Sequence, residues 1–130
     1  MELKLGPLRQ IGLPSGNLSR SIAFYRDILG LEFIAQYDPP GLAFFRAGDT
    51  RLLLDFSADA SPSRAVLYFE VAAIDAAYSQ LKEKGVEFDS APHLIFRDDQ
   101  CTFGSPRGEE WMAFLKDPDG NVLALASRKG

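Results

Sequence analysis

Cysteine is all but missing from the 130-residue chain. Cys101 has no second thiol to pair with, which excludes an internal disulfide and suits a reducing compartment. Runs of basic residues are missing as well. Fourteen Lys and Arg stand against eighteen Asp and Glu, giving a net charge of −4 and a pI of about 4.9. That balance argues against nucleic acid or an anionic membrane as partner. No apolar run is long enough to cross a bilayer, and Met1-Glu2-Leu3-Lys4 opens without the apolar core of a secretory signal. These absences predict a cytoplasmic protein. Histidine occurs once, as His93, so imidazole chemistry has a single candidate.

What is present is ordinary for a globular chain: 46% hydrophobic and 25% charged residues, long enough for one domain with a real core. Ten Phe and four Tyr exceed what a small core needs and leave rings to line a pocket. The chain also repeats itself. GLEF at 30–33 returns as GVEF at 85–88, each after a helix-like segment. LAFFRAGDTRLLLDF (42–56) aligns without a gap on MAFLKDPDGNVLALA (112–126), and the apolar positions coincide along most of it.

The elements read in order. A strand is predicted over 8–13. Asn17 caps a helix whose Leu18, Ile22, Tyr25 and Leu29 form one apolar stripe, and Gly30 stops it. A strand follows over 31–37, then a hairpin, 42–47 and 51–56, about Gly48-Asp49. The polar segment 57–63 links the halves. The second half reads as strand 65–71, helix 74–84 ending at Gly85, strand 86–90, and an irregular stretch over 91–109. A closing hairpin, 110–116 and 121–127, turns at Asp117-Pro118-Asp119-Gly120, which is chain-reversal chemistry rather than catalysis. Each half is therefore βαβββ. The expected α+β fold is two such modules, about 5–57 and 64–128 in a single domain over 1–130. They would form a curved, mostly antiparallel eight-stranded sheet around a cleft, with helices on the convex face.

The segments LRQIGLPSGNLSRSIAFYRDILGLEF, LYFEV with IDAAYSQLKEKGVEF, and WMAFLKDPDGNVLALAS together resemble the vicinal oxygen chelate superfamily. That group includes glyoxalase I, extradiol dioxygenases, fosfomycin-modifying proteins and bleomycin-resistance proteins. The resemblance covers nearly the whole chain and implies the fold just described. It also implies four metal ligands, one on the first and one on the last strand of each half. The first-strand ligand is His or Gln and the last-strand ligand is Glu. Carried onto this sequence, those places fall on Gln10, Leu54, Val66 and Ala124. Only Gln10 offers a lone pair, and a lone amide cannot hold a divalent ion. Asp55 would reach the cleft face only by a one-residue slip. The usual metal centre is therefore expected to be missing and no cofactor is assigned; a divalent metal stays open only as a weak, non-standard site in which His93 joins Gln10 and a carboxylate.

The resemblance places Met112 and Phe114 where substrate-pocket residues sit, with Leu42 and Phe44 as their counterparts in the first half; a filled core is the alternative. Tyr68 and Glu70 share a strand face with Val66. His93 is a candidate acid/base, or else a partly exposed residue opening an irregular strand. Glu110 is the carboxylate nearest the Met112 face, a candidate acid/base or a solvated strand end. Trp111, on the opposite face, is expected to pack under the second helix, and Cys101 shows no adjacent base to activate it. Two functions remain open. One is a small-molecule binder with an apolar, aromatic cleft and a degenerate metal site, like bleomycin-resistance proteins. The other is a glyoxalase-like lyase or isomerase acting on a small carbonyl compound, using His93, Glu110 or Glu70 with Gln10. Relatives of this kind commonly form homodimers, and exposed sheet edges make pairing reasonable.

Overall fold

A computed structural model describes residues 2–130. It divides into two compact units, one ending at Pro62 and the other beginning at Ser63. The division lies at the end of the polar segment predicted as a linker. Among the described residues there are eight strands and two α-helices, in two four-stranded mixed sheets.

The first unit holds β1 (Gln10–Ser15), α1 (Leu18–Ile22), a π-helical continuation (Ala23–Ile28), β2 (Glu32–Tyr37), β3 (Leu42–Ala47) and β4 (Thr50–Phe56). The sheet order is β1-β4-β3-β2; β1 and β4 run parallel and the other pairs antiparallel. The Asn17 side-chain oxygen accepts the Arg20 N–H at 3.0 Å, as a cap should. Gly30 then takes φ 78°, the left-handed conformation that ends the helix. The predicted stripe is modified within the helix. A π-turn carries an extra residue per turn, so Phe24 and Tyr25 both turn inward. Tyr25 packs on Phe45 at 5.9 Å between ring centres, and Phe33 meets the same ring at 5.6 Å. Leu13, Ala43, Phe45, Leu52 and Leu54 form the buried, helix-covered face.

The second unit repeats the plan with β5 (Leu67–Glu70), α2 (Ile74–Glu83), β6 (His93–Asp98), β7 (Gly108–Lys116) and β8 (Val122–Lys129), in the order β5-β8-β7-β6. The strand expected over 86–90 shrinks to one bridge, Phe88 to Leu115. The actual strand lies at 93–98, inside the stretch expected to be irregular. Two features account for this. Phe88 is held by ring contact with Tyr78 of α2, 4.7 Å between centres, rather than by a ladder. In β6 a bulge between Leu94 and Phe96 interrupts the two-residue alternation that marks a strand. The reversal at 117–121 is a buried network. Asp117 accepts the N–H groups of Asp119 and Asn121, each at 2.9 Å, and the Asn121 side-chain amide at 2.8 Å. Asn121 in turn accepts the Ser63 N–H at 2.8 Å.

The internal repeat is real but slips by one residue at the second hairpin. Leu13 lies beside Leu54 in the first unit, and its equivalent Phe69 lies beside Leu125 in the second. The equivalent of Leu54 is therefore Leu125, not the Ala124 given by gapless alignment. Between equivalent pairs, Ala43 with Leu54 and Ala113 with Leu125, the second hairpin carries one residue more.

Candidate ligand-binding site

Alternation along the strands puts two sets of side chains on opposite faces of each sheet. In the second unit, Leu67, Ala113, Leu115, Leu123 and Leu125 are buried on the helix side. Trp111 shares that side, as predicted. Its indole N–H donates to Glu109 at 3.0 Å, and the Lys129 ammonium lies 4.1 Å from its ring centre while bonding Asp75 of α2 at 3.1 Å. The open face carries Tyr68, Glu70, Glu110, Met112 and Phe114, because Tyr68 and Phe114 both flank Ala124, and Glu70 and Met112 both flank Ala126. The rings of Tyr68 and Phe114 stand edge to face at 6.3 Å. His93 pairs with Met112 at the outer strand, its ring 6.5 Å from that of Phe114. It is exposed, and its Nδ1 lies 3.2 Å from the Ala91 carbonyl.

A recess of about 250 Å³ opens on this unit, lined by Tyr68, Glu70, Phe103, Glu110, Ala126, Ser127 and Arg128. It gathers three of the residues singled out in sequence and leaves His93, Met112 and Phe114 outside its lining. Its organising residue, Arg128, was not foreseen. One guanidinium nitrogen donates to Asp98 at 2.9 Å and to the carbonyls of Gly104 and Pro106 at 3.0 and 2.9 Å. The other donates to Glu110 at 3.1 Å. Asp98 also accepts the N–H groups of Thr102 and Phe103 at 2.7 and 2.9 Å. The Phe103 N–H, then that of Thr102 and the Arg128 guanidinium, hold the Asp98 carboxyl below its ordinary pKa against the opposing effect of burial. The same contacts raise Arg128, chiefly through Asp98 and secondarily through Glu110. Glu110 is thus an ion-pair partner, not a free base. The segment 99–107 is folded over Arg128, presenting the Phe103 ring, which contacts Phe96 at 5.5 Å. Gly108 makes this approach feasible, since a Cβ there would fall 2.8 Å from Arg128 Nε and 2.9 Å from the Lys129 carbonyl. The one sequence signal for Arg128 was periodicity: it continues the Ala124–Ala126 face by two more residues.

In the first unit, Gln10, Leu42 and Phe44 share the open face with Arg51, Leu53 and Asp55. Phe44 meets Tyr37 at 6.0 Å. Gln10 is not idle, for its side-chain oxygen accepts from Arg51 Nε at 3.0 Å. A second recess, of about 330 Å³, is lined by Gly12, Leu13, Pro14, Leu53, Asp55, Phe56 and Ser57; of the residues singled out in sequence only Asp55 lines it, while Gln10, Leu42 and Phe44 do not.

Residues 8–125 match the family model described as the Glyoxalase/Bleomycin resistance protein/Dioxygenase superfamily. The chain belongs to that superfamily. YraH, an uncharacterized protein of Bacillus subtilis (strain 168), is 29% identical over 135 residues, covering 91% of this chain and 95% of that one. Among solved structures, a member of the superfamily from Sphaerobacter thermophilus matches with a TM-score of 0.74 at 21% identity, covering 96% of this chain and 99% of that one. A lactoylglutathione lyase from Agrobacterium tumefaciens matches with a TM-score of 0.70 at 21% identity, covering 95% of each chain. At such identities the likeness is one of fold.

The positions that the superfamily resemblance assigned to metal ligands are occupied as follows. Leu54 is fully buried beneath the helix side and faces away from Gln10; the alternation that buries it puts Asp55 on the open face instead. Asp55 is beside Pro14, four residues along β1 from Gln10, a separation of about 13 Å at strand spacing. Ala124 is on the open face but buried between Tyr68 and Phe114. Val66 precedes β5 and is half-buried. Among the described residues, no three His, Cys, Asp or Glu side chains gather closely enough to hold an ion. No helix among them is long and apolar enough to cross a membrane.

Proposed function

We propose that the chain is a small-molecule-binding member of the superfamily, working through an aromatic recess with a polar edge rather than through the usual metal centre. The observation that carries this reading is the contact between Gln10 and Arg51. The one ligand-like side chain at a superfamily metal position already gives its lone pair to a guanidinium. A divalent cation placed there would meet the positive charge of Arg51 a few ångströms away. The carboxylate that could assist, Asp55, lies too far along the strand to share an ion with Gln10. The donor set therefore does not suit that group, and no chemical step is assigned to it. Tyr68 and Glu70 keep their ligand-binding role, and Phe103, Arg128 and Glu110, the last as the ion-pair partner of Arg128 rather than an acid/base, complete the lining. Leu42, Phe44, Met112 and Phe114 supply apolar surface on the open faces.

The competing reading is a glyoxalase-like lyase or isomerase acting on a small carbonyl compound. It draws support from His93, whose exposed imidazole lies on the same face as Phe114 and could move a proton. Melting scans with Zn²⁺, Ni²⁺ and Mn²⁺, together with turnover of the hemithioacetal of methylglyoxal and glutathione, separate the two. A specific ion at one hundred times its Kd adds about 2.7 kcal/mol to stability, a shift of several degrees for a domain of this size. The binder reading predicts no such shift and no turnover. A metal-dependent gain in melting temperature with turnover abolished in His93→Ala would replace it with the enzyme. We further propose a homodimer acting in the cytoplasm.

A further inference from the structure

The binder reading leaves the ligand unnamed, and the charges around the second-unit recess narrow it. Two carboxylates, Asp98 and Glu110, hold the Arg128 guanidinium, and a third, Glu70, lines the same recess without contacting it. Both outer nitrogens of that guanidinium are already used, on Asp98, Glu110 and two backbone carbonyls. Its positive charge is spoken for within the protein. Glu70 lines the same recess and is exposed at the end of β5; among the described residues, no hydrogen bond or ion pair engages its carboxylate. Two rings border the space, Tyr68 at 56% and Phe103 at 70% exposure. Large aromatic surfaces left this open beside an unpaired carboxylate suit a cationic nitrogen, which a ring face attracts and a carboxylate neutralises. An anionic ligand would meet Glu70 unscreened, and a neutral apolar one would leave Glu70 unpaired on desolvation. The size limits the ligand too, since about 250 Å³ is below the roughly 300 Å³ at which pockets for drug-sized ligands begin.

We propose that the recess of the second unit binds a small organic cation, an ammonium group carried on a flat apolar body, with Glu70 as its counter-ion and Tyr68 and Phe103 as its stacking surfaces. The inference rests on the binder reading and adds the sign of the ligand's charge. The role of Arg128 is then positional. It holds the 99–107 segment so that Phe103 borders the recess, and it leaves Glu70 as the carboxylate available to the ligand.

The test uses three probes of one shape, 2-phenylethylammonium, 2-phenylethanol and phenylacetate, titrated into the full chain while the backbone amide resonances of Ala126 and Ser127 are followed. The ammonium compound is expected to move both amides saturably, and more weakly as salt is raised. The alcohol should bind about tenfold or more weakly and the acid not at all. Glu70→Gln, a surface change at a strand end, should erase the preference for ammonium over alcohol while the fold is kept. Phe103→Ala should weaken both compounds. Equal binding of alcohol and ammonium, or an undiminished preference in Glu70→Gln, overturns the cation assignment and leaves the apolar binder standing. Failure of all three probes to move these amides overturns the assignment and, with it, this recess as the binding site.

Discussion

Asp98 shows how much a single carboxylate can organise. It is buried, at 3% exposure, yet remains ionised because two backbone N–H groups and Arg128 converge on it. Its pKa is lower folded than unfolded, so the stability it contributes is fully present above the unfolded value, about 3.9. That contribution is lost as pH falls through the lower folded value. Asp98→Asn is expected to lower the melting temperature at neutral pH. It should also flatten the loss of stability below about pH 4, as a series of melts against pH would show. Asn121→Ala removes a buried side chain bonded to Asp117 and to the Ser63 N–H. It is expected to cost about 1–3 kcal/mol or more, measured by urea unfolding. At this scale the sequence was only partly informative. Tyr68, Glu70 and Glu110 were legible from alternation, because a strand's faces follow from its register. Asp98, Phe103 and Arg128 were not, because Arg128 reaches Asp98 and Pro106 across 30 and 22 residues, and the Phe103 N–H meets Asp98 only through the path of an irregular segment.

Caps and stops, which are local, read well at the scale of the element. Asn17 and Gly30 behave as their chemistry dictates, and so does Gly85, at φ 88°. Asn17→Ala should cost about 1 kcal/mol. Gly30→Ala, forced into a left-handed conformation, should cost about 1–2 kcal/mol. Both are measurable by thermal or chemical denaturation, and neither should change the spectrum of the folded state. Two elements resisted. The π-helical turn over Ala23–Ile28 keeps a helical composition while widening the inward face, so periodicity of 3.6 places Tyr25 correctly but misses Phe24, and Leu29 is only half-buried. The strand β6 has a bulge where Leu94, Ile95 and Phe96 run together, and a run of three apolar residues cannot reveal which of them face inward.

For the whole molecule the doubling of the βαβββ plan was evident in the sequence, since GLEF and GVEF mark equivalent points after each helix. The slip between Leu54 and Leu125 was not, because both candidates for the second position are apolar and a one-residue change in a turn leaves no compositional trace. Leu54 itself belongs to the core, buried by the alternation along β4. Leu54→Ala is therefore expected to destabilise the protein by about 2–5 kcal/mol without altering metal response, as denaturation and metal titration would show. Exposed apolar side chains at Leu3, Leu5, Leu8, Tyr37 and Phe56, together with outer strands in each sheet, give reason to expect association. Sedimentation equilibrium should return twice the 14.3 kDa chain mass.

The ammonium of Lys129 lies above the indole of Trp111, which offers a built-in spectroscopic reporter. Trp111 is the single tryptophan, it adjoins Glu110 in β7, and Lys129 adjoins Arg128 in β8. A ligand that displaces Arg128 or Glu110 is expected to shift the lysine relative to the ring and so alter the indole emission, which fluorescence titration of unlabelled protein would show.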